Sequence, residues 1–311
     1  MAGFDGSDRP PMDSAQAIMR GALAEFLAMM LFVYFGCGSA ASNAEKNTRN
    51  FTLADGSSVA VSEWNPASVT IIALQFGLGI TVLAYFCAHS SGGHINCAVT
   101  WALVLVGKCH PVTGFVYFVA QMLGSIAGAL LLKFTTFANS DGHADLADRS
   151  GGLGANGLQL HFTAANGDKT QFITPSMAVL GEVMGTMLLV LVVLETACSS
   201  DSFVKNSGKG VAAAAQQLNL APIPIGFAVF MAHVNLIPLT GCSINPTRSF
   251  GPSLVADSWD NHWIWWVGPL TGATIASLLW ALIRSPAMMP PPAPKSEAQK
   301  YADENAAASN A

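Results

Sequence analysis

GGHINCAVTW at residues 92–101 and TGCSINPTRSFGPS at residues 240–253 are the two stretches that decide how this chain folds. Each passes from glycine and polar residues into an asparagine, Asn96 or Asn245, and then into an apolar piece. Those pieces are about half the roughly 20 residues that a membrane crossing needs. They therefore read as re-entrant half-helices, at 97–107 and 246–256. Irregular backbone at membrane depth survives only when it is buried in protein or lines water, so the pattern points to a pore or a transporter.

Working outward, six apolar stretches are long enough to span a bilayer, at about 18–40, 68–88, 111–134, 176–198, 220–240 and 262–284. Composition agrees. Of 311 residues 51% are hydrophobic and 11% charged, against about 25% charged in soluble domains. Small residues recur at close-packing spacing, as in Gly124-x3-Gly128 and Gly268-x3-Gly272, and read as helix-packing positions.

The halves repeat. AEFLAMMLFVYFG at 24–36 aligns with GEVMGTMLLVLVV at 181–193, setting Glu25 against Glu182; HINCAVT at 94–100 aligns with SINPTRS at 243–249, setting Asn96 against Asn245. Three spans per copy is an odd number, so the second copy is inverted. The half-helices then enter from opposite faces and meet N-terminus to N-terminus around a midplane site. The plan is a cytoplasmic N-terminal segment (1–17), a first repeat (18–134), a long extracellular connector (135–175), a second repeat (176–284) and a disordered cytoplasmic tail (285–311). Under this orientation eight Lys and Arg lie inside and five outside, with Arg248 in the membrane, a modest positive-inside bias. The chain is an integral multi-pass membrane protein, the plasma membrane favoured over an internal one. Asn50-Phe51-Thr52 is a glycosylation sequon in the first connector.

Glu25 and Glu182, at matching places in the repeat, read as anchors for the loop backbone beside each half-helix. The asparagines can cap the half-helices, and where two positive dipole ends converge their amides can both donate to a passing oxygen. The net charge of −5 and the scattered cations give no track for nucleic acid. Six cysteines without metal-ligand spacing predict neither a disulfide framework nor a metal site. No cofactor is expected, and no nucleophile with a readable base supports an enzyme.

The two signature stretches, with WVGP at 266–269, resemble those of the aquaporins, over roughly residues 20–284. The resemblance implies an all-α membrane fold of six transmembrane helices plus two re-entrant half-helices. It also implies a passive water channel, a lipid-embedded homotetramer with one pore per protomer. That family's usual Asn-Pro-Ala is here Asn96-Cys97-Ala98 and Asn245-Pro246-Thr247. A literal Asn65-Pro66-Ala67 precedes a full-length span and reads as an ordinary helix cap with Pro in the first turn. Carried over by spacing from the two asparagines, the selectivity filter falls on Phe76, His233, Cys242 and Arg248. The single-file carbonyls fall on Gly92, Gly93, His94 and Ile95, and on Gly241, Cys242, Ser243 and Ile244. His233 and Ser249 stand where glycerol-conducting members carry a small residue and an Asp, so polyols should be excluded. The long polar segment 199–219 is a candidate gate. A secondary transporter, which would need coupling carboxylates at the midplane, and a scaffolding protein with a vestigial pore are the competing readings.

Overall fold

The computed structural model describes residues 14–52, 56, 58–137, 148–159, 161–164, 169–198 and 220–284. The candidate gate at 199–219 and the tail at 285–311 lie outside the described residues, as do residues 1–13 of the N-terminal segment.

Six long apolar helices carry the spans: α1 (Ala15–Asn43), α2 (Pro66–Ser91), α4 (Pro111–Phe137), α5 (Pro175–Val193), α6 (Pro222–Thr240) and α8 (Ile264–Ile283). Two short helices, α3 (Cys97–Leu105) and α7 (Pro246–Ala256), sit between the second and third span of each half. All lie within a few residues of the positions expected from sequence, and a π-helical turn, Leu194–Cys198, continues α5. Local chemistry sets the ends. Ser14, Asn65 and Thr174 cap α1, α2 and α5 through their side-chain oxygens, while Pro66, Pro175, Pro222 and Pro246 stand at helix starts, where a missing N–H costs nothing. Asn65 is the ordinary cap that its sequence context suggests.

The halves pack alike. α1 lies against α4 in the first and α5 against α8 in the second. A methyl group at Gly124 or Gly128 would run into the carbonyls of Phe26 and Met30 on α1, and one at Gly268 or Gly272 would meet Glu182 and Val183 on α5. α2 and α6 close the bundle between the halves, Gly77 facing Gly226. Large apolar side chains such as Phe134 and Leu278 stand exposed on the outside of the bundle, as a lipid-facing surface requires.

The connectors hold what the sequence reading left unassigned. Strands β1 (Lys46–Thr52), β2 (Ser58–Trp64), β3 (His161–Ala164) and β4 (Lys169–Gln171) form one antiparallel sheet in the order β1-β2-β3-β4. Asn50 lies on exposed edge strand β1, opposite Ala60.

Candidate functional site

Each half-helix is entered through a loop tied to a buried carboxylate. Glu25 of α1, fully buried, accepts from the backbone N–H of His94 (2.9 Å) and Ile95 (2.7 Å), from the Ser91 hydroxyl (2.5 Å) and from the Gln121 amide (2.8 Å). Glu182 of α5, also fully buried, accepts from the N–H of Ser243 (2.9 Å) and Ile244 (2.6 Å) and from the Thr240 hydroxyl (2.7 Å). The chain turns out of α2 and α6 at left-handed Gly92 and Gly241, and Ile95 and Ile244, at φ +49° and +44°, then hold a backbone region that β-branched residues rarely adopt. Two carboxylate-bound N–H groups at each loop are the compensation for that strain.

Asn96 Oδ1 caps α3 through Ala98 N (2.8 Å), and Asn245 Oδ1 caps α7 through Arg248 N (3.2 Å). Their amide nitrogens do something the sequence did not suggest. Asn96 Nδ2 donates to the carbonyl of Ile244 and Asn245 Nδ2 to that of Ile95, each at 2.8 Å. One N–H of each amide therefore ties the loops together, leaving one per asparagine for a passing oxygen. Ile95 and Ile244, expected as single-file acceptors, each have a lone pair occupied by this strap.

Two cavities of about 220 Å³ each approach this centre from opposite faces. The inner one runs from Lys108, Ala197 and Cys198 past Gly92, Gly93, His94, Val99, Ser243 and Ile244 to Asn96, Asn245 and His233. The outer one opens beneath the sheet, among Lys46, Trp64, Arg149 and Ser150, and narrows to Phe76 and Gly241. Arg248 lines both. At this junction the Phe76 and His233 rings stack at 4.3 Å, and the Arg248 guanidinium lies 4.9 Å from the Phe76 centroid. His233 Nδ1 pairs with the Val229 carbonyl (2.9 Å), so the proton sits on Nδ1, and Nε2 has no hydrogen-bond partner among the described residues. Three of the four expected filter residues thus meet in one place. Cys242 is buried between Gly241, which lines the outer cavity, and Ser243, which lines the inner one.

Cys97 is displaced in the other direction. Its thiol meets Thr247, but the hollow that it lines is an apolar one between α3, α4 and α8, with Trp101, Phe115, Phe118 and Trp266. Ala98, Pro246 and Thr247 are buried at the contact of the two half-helices, the Thr247 hydroxyl donating to Asn245 Oδ1 (2.7 Å).

The residues that hold Arg248 were not found in the sequence. Its Nη1 donates to Gly154 O (2.9 Å) and Asn156 Oδ1 (2.8 Å), both in the connector. Asn156 Oδ1 also accepts from the Ser249 hydroxyl (2.7 Å), and its Nδ2 donates to Thr240 O (3.2 Å). Asp148 shapes this segment by accepting from the N–H groups of Ser150 and Leu153. Gly154, at φ +70° and against the Cys37 backbone, lets the carbonyl come that close. The available signal was the glycine run GGLGANG at 151–157 inside a polar connector. In the outer cavity, desolvation lowers the pKa of Lys46 below the ordinary lysine value.

Residues 12–280 match the family model described as major intrinsic protein. The chain is 36% identical to "Probable aquaporin PIP2-1" of Oryza sativa subsp. japonica, over 89% of this chain and 87% of that protein. It is 37% identical to "Aquaporin-2" of Rattus norvegicus, over 87% and 80%. In fold it is similar to the X-ray structure of the aquaglyceroporin from Plasmodium falciparum, with TM-score 0.62 and 18% identity, over 87% of this chain and 98% of that one.

Proposed function

The chain belongs to the major intrinsic protein family, and from that premise we propose that it is a passive channel selective for water, one pore per protomer. Membership makes it a multi-pass membrane channel and not an enzyme. The observation that carries the selectivity is the junction of the two cavities, where Arg248, Phe76 and His233 close on one another. An aromatic ring and an imidazole narrow the passage, Arg248 supplies donors and positive charge, and His233 Nε2 offers an acceptor. A polyol, wider and in need of more donors and acceptors at once, is excluded by size. At the centre, one free N–H from each asparagine faces the water file at the opposed helix N-termini. Cations meet converging positive dipole ends there, the general device by which aquaporin-type pores also exclude protons.

In this reading the sheet face is extracellular, the assembly is a homotetramer in the plasma membrane, and the segment 199–219, outside the described residues, is the cytoplasmic gate. The loop contacts of Glu25 and Glu182 favour a channel over a coupled transporter. Both carboxylates are engaged with backbone N–H groups that a change of protonation or position would strand.

Stopped-flow light scattering on proteoliposomes tests this. The expected result is fast osmotic shrinkage with a low activation energy and little glycerol entry, with glycerol admitted by Arg248→Val. Shrinkage no faster than that of empty liposomes overturns it.

A further inference from the structure

Above the filter the outer cavity collects positive charge beyond what water selection uses. Lys46, Arg149 and Arg248 line it, and among the described residues no carboxylate does. Glu45, Glu63 and Asp148, next in sequence to Lys46, Trp64 and Arg149, are not among the described lining residues and have partners of their own. Asp148 accepts from the N–H of Ser150 and Leu153 and from the Ser150 hydroxyl, Glu63 pairs with Arg49, and Glu45 accepts from the Asn65 amide. The cations, in contrast, keep donors in hand. Arg248 is 2% exposed, and beyond the two Nη1 bonds and the Phe76 ring its guanidinium has no hydrogen-bond partner among the described residues, Nε being buried without one. The Arg149 side chain has no hydrogen bond or ion pair among the described residues. Lys46 Nζ gives one hydrogen bond, to Gln159 Oε1 (3.2 Å), and lies 5.2 Å from the Trp64 ring centroid. Trp64 Nε1 is a further buried donor at the same wall without a partner among the described residues.

We propose that this vestibule is a binding site for a small tetrahedral oxyanion, such as inorganic sulfate or phosphate, seated between Lys46, Arg149 and the outward end of Arg248. A cavity of about 220 Å³ admits such an ion. Three cations with donors still in hand suit a tetrahedral oxyanion, and charge-assisted bonds to oxyanions are the strong kind. On the topology proposed above the sheet side is the aqueous side, so the ion proposed here comes from solution and not from a lipid headgroup. Seated there, it stands over the filter.

Equilibrium dialysis of the purified full chain, in a phospholipid-free neutral detergent, against radiolabelled sulfate at constant ionic strength reads binding without reference to water flow. Failure here therefore leaves the water-channel reading standing, and the converse also holds. The expected result is saturable uptake of one sulfate per chain. Inorganic phosphate should compete and micellar phosphatidic acid should not. Lys46→Gln combined with Arg149→Gln should weaken uptake roughly tenfold or more, about 1.4 kcal/mol. Arg149→Gln alone, at an exposed side chain, should weaken it severalfold and guards against misfolding of the double variant. No saturable uptake, uptake indifferent to either variant, or competition by the lipid alone overturns the proposal.

Discussion

The two re-entrant loops share one plan up to their asparagines and differ after them. In both, a hydroxyl at the end of a span (Ser91, Thr240) and two successive backbone N–H groups bind one buried carboxylate, and an isoleucine with positive φ precedes the asparagine. Even the next contact is matched: His94 pairs with Thr100 and Ser243 with Ser249, six residues apart in each case. Beyond the asparagines the second loop gains what the first lacks. Thr247 stands in the place of Ala98, Arg248 in the place of Val99, and a connector segment reaches down to hold the cation. In the channel proposed above, the duplicated scaffold places the pore and the unduplicated residues of the second loop set what it selects.

The largest effect should come from breaking the shared part. Glu25→Ala and Glu182→Ala each strand two backbone N–H groups at about 1–3 kcal/mol per unsatisfied buried group, while the Ser91 and Thr240 hydroxyls keep the carbonyls of Cys87 and Leu236 as acceptors. Thermal unfolding in detergent should show both variants losing several kcal/mol to a similar degree. If one tolerates the change, the anchors are not equivalent.

Asn156→Ala comes next and strikes only the second loop. It removes an acceptor from Arg248 and one from Ser249, with about 1.5–3 kcal/mol at stake for the bond to the charged group. Glycerol entry should rise relative to water flow, while the first loop keeps its contacts. An unchanged ratio would show that Gly154 alone positions the guanidinium.

Thr247→Ala makes the second signature more like the first and deletes one neutral hydrogen bond, about 1 kcal/mol in unfolding. Cys97→Pro makes the first more like the second. Cys97 is the first residue of α3, where a lost N–H is tolerated, so stability should change by less than for Thr247→Ala and water permeability should hold. A closed pore in Cys97→Pro would reverse that ranking.

The sequence carried the frame because the frame is written in local signals. Apolar length located the spans, half-length located α3 and α7, and the repeat put Glu25 with Glu182 and Asn96 with Asn245. It did not carry the sheet, since β1 reads KNTRNFT with all seven residues exposed and has no buried face to impose alternation. Nor did it carry the partners of Arg248. A buried guanidinium must find acceptors, but beyond the glycine run at 151–157 nothing in the sequence ties the Gly154 carbonyl or the Asn156 amide to a cation so far along the chain. The same distance hid the asparagine straps and the burial of Cys242, both of which depend on how the second half lies against the first.

Those straps also bear on how the protein is made. Asn96 waits for a carbonyl 148 residues ahead of it, and Ile95 for an amide 150 residues ahead. At ribosomal speeds of about 5–20 residues per second, the first half spends on the order of ten seconds in the membrane with its loop incomplete. During that interval the Glu25 anchor is the contact, internal to the first half, that keeps the nascent loop in shape. The pore is then a late product of synthesis, closed over only when the second copy of the repeat arrives to complete the first.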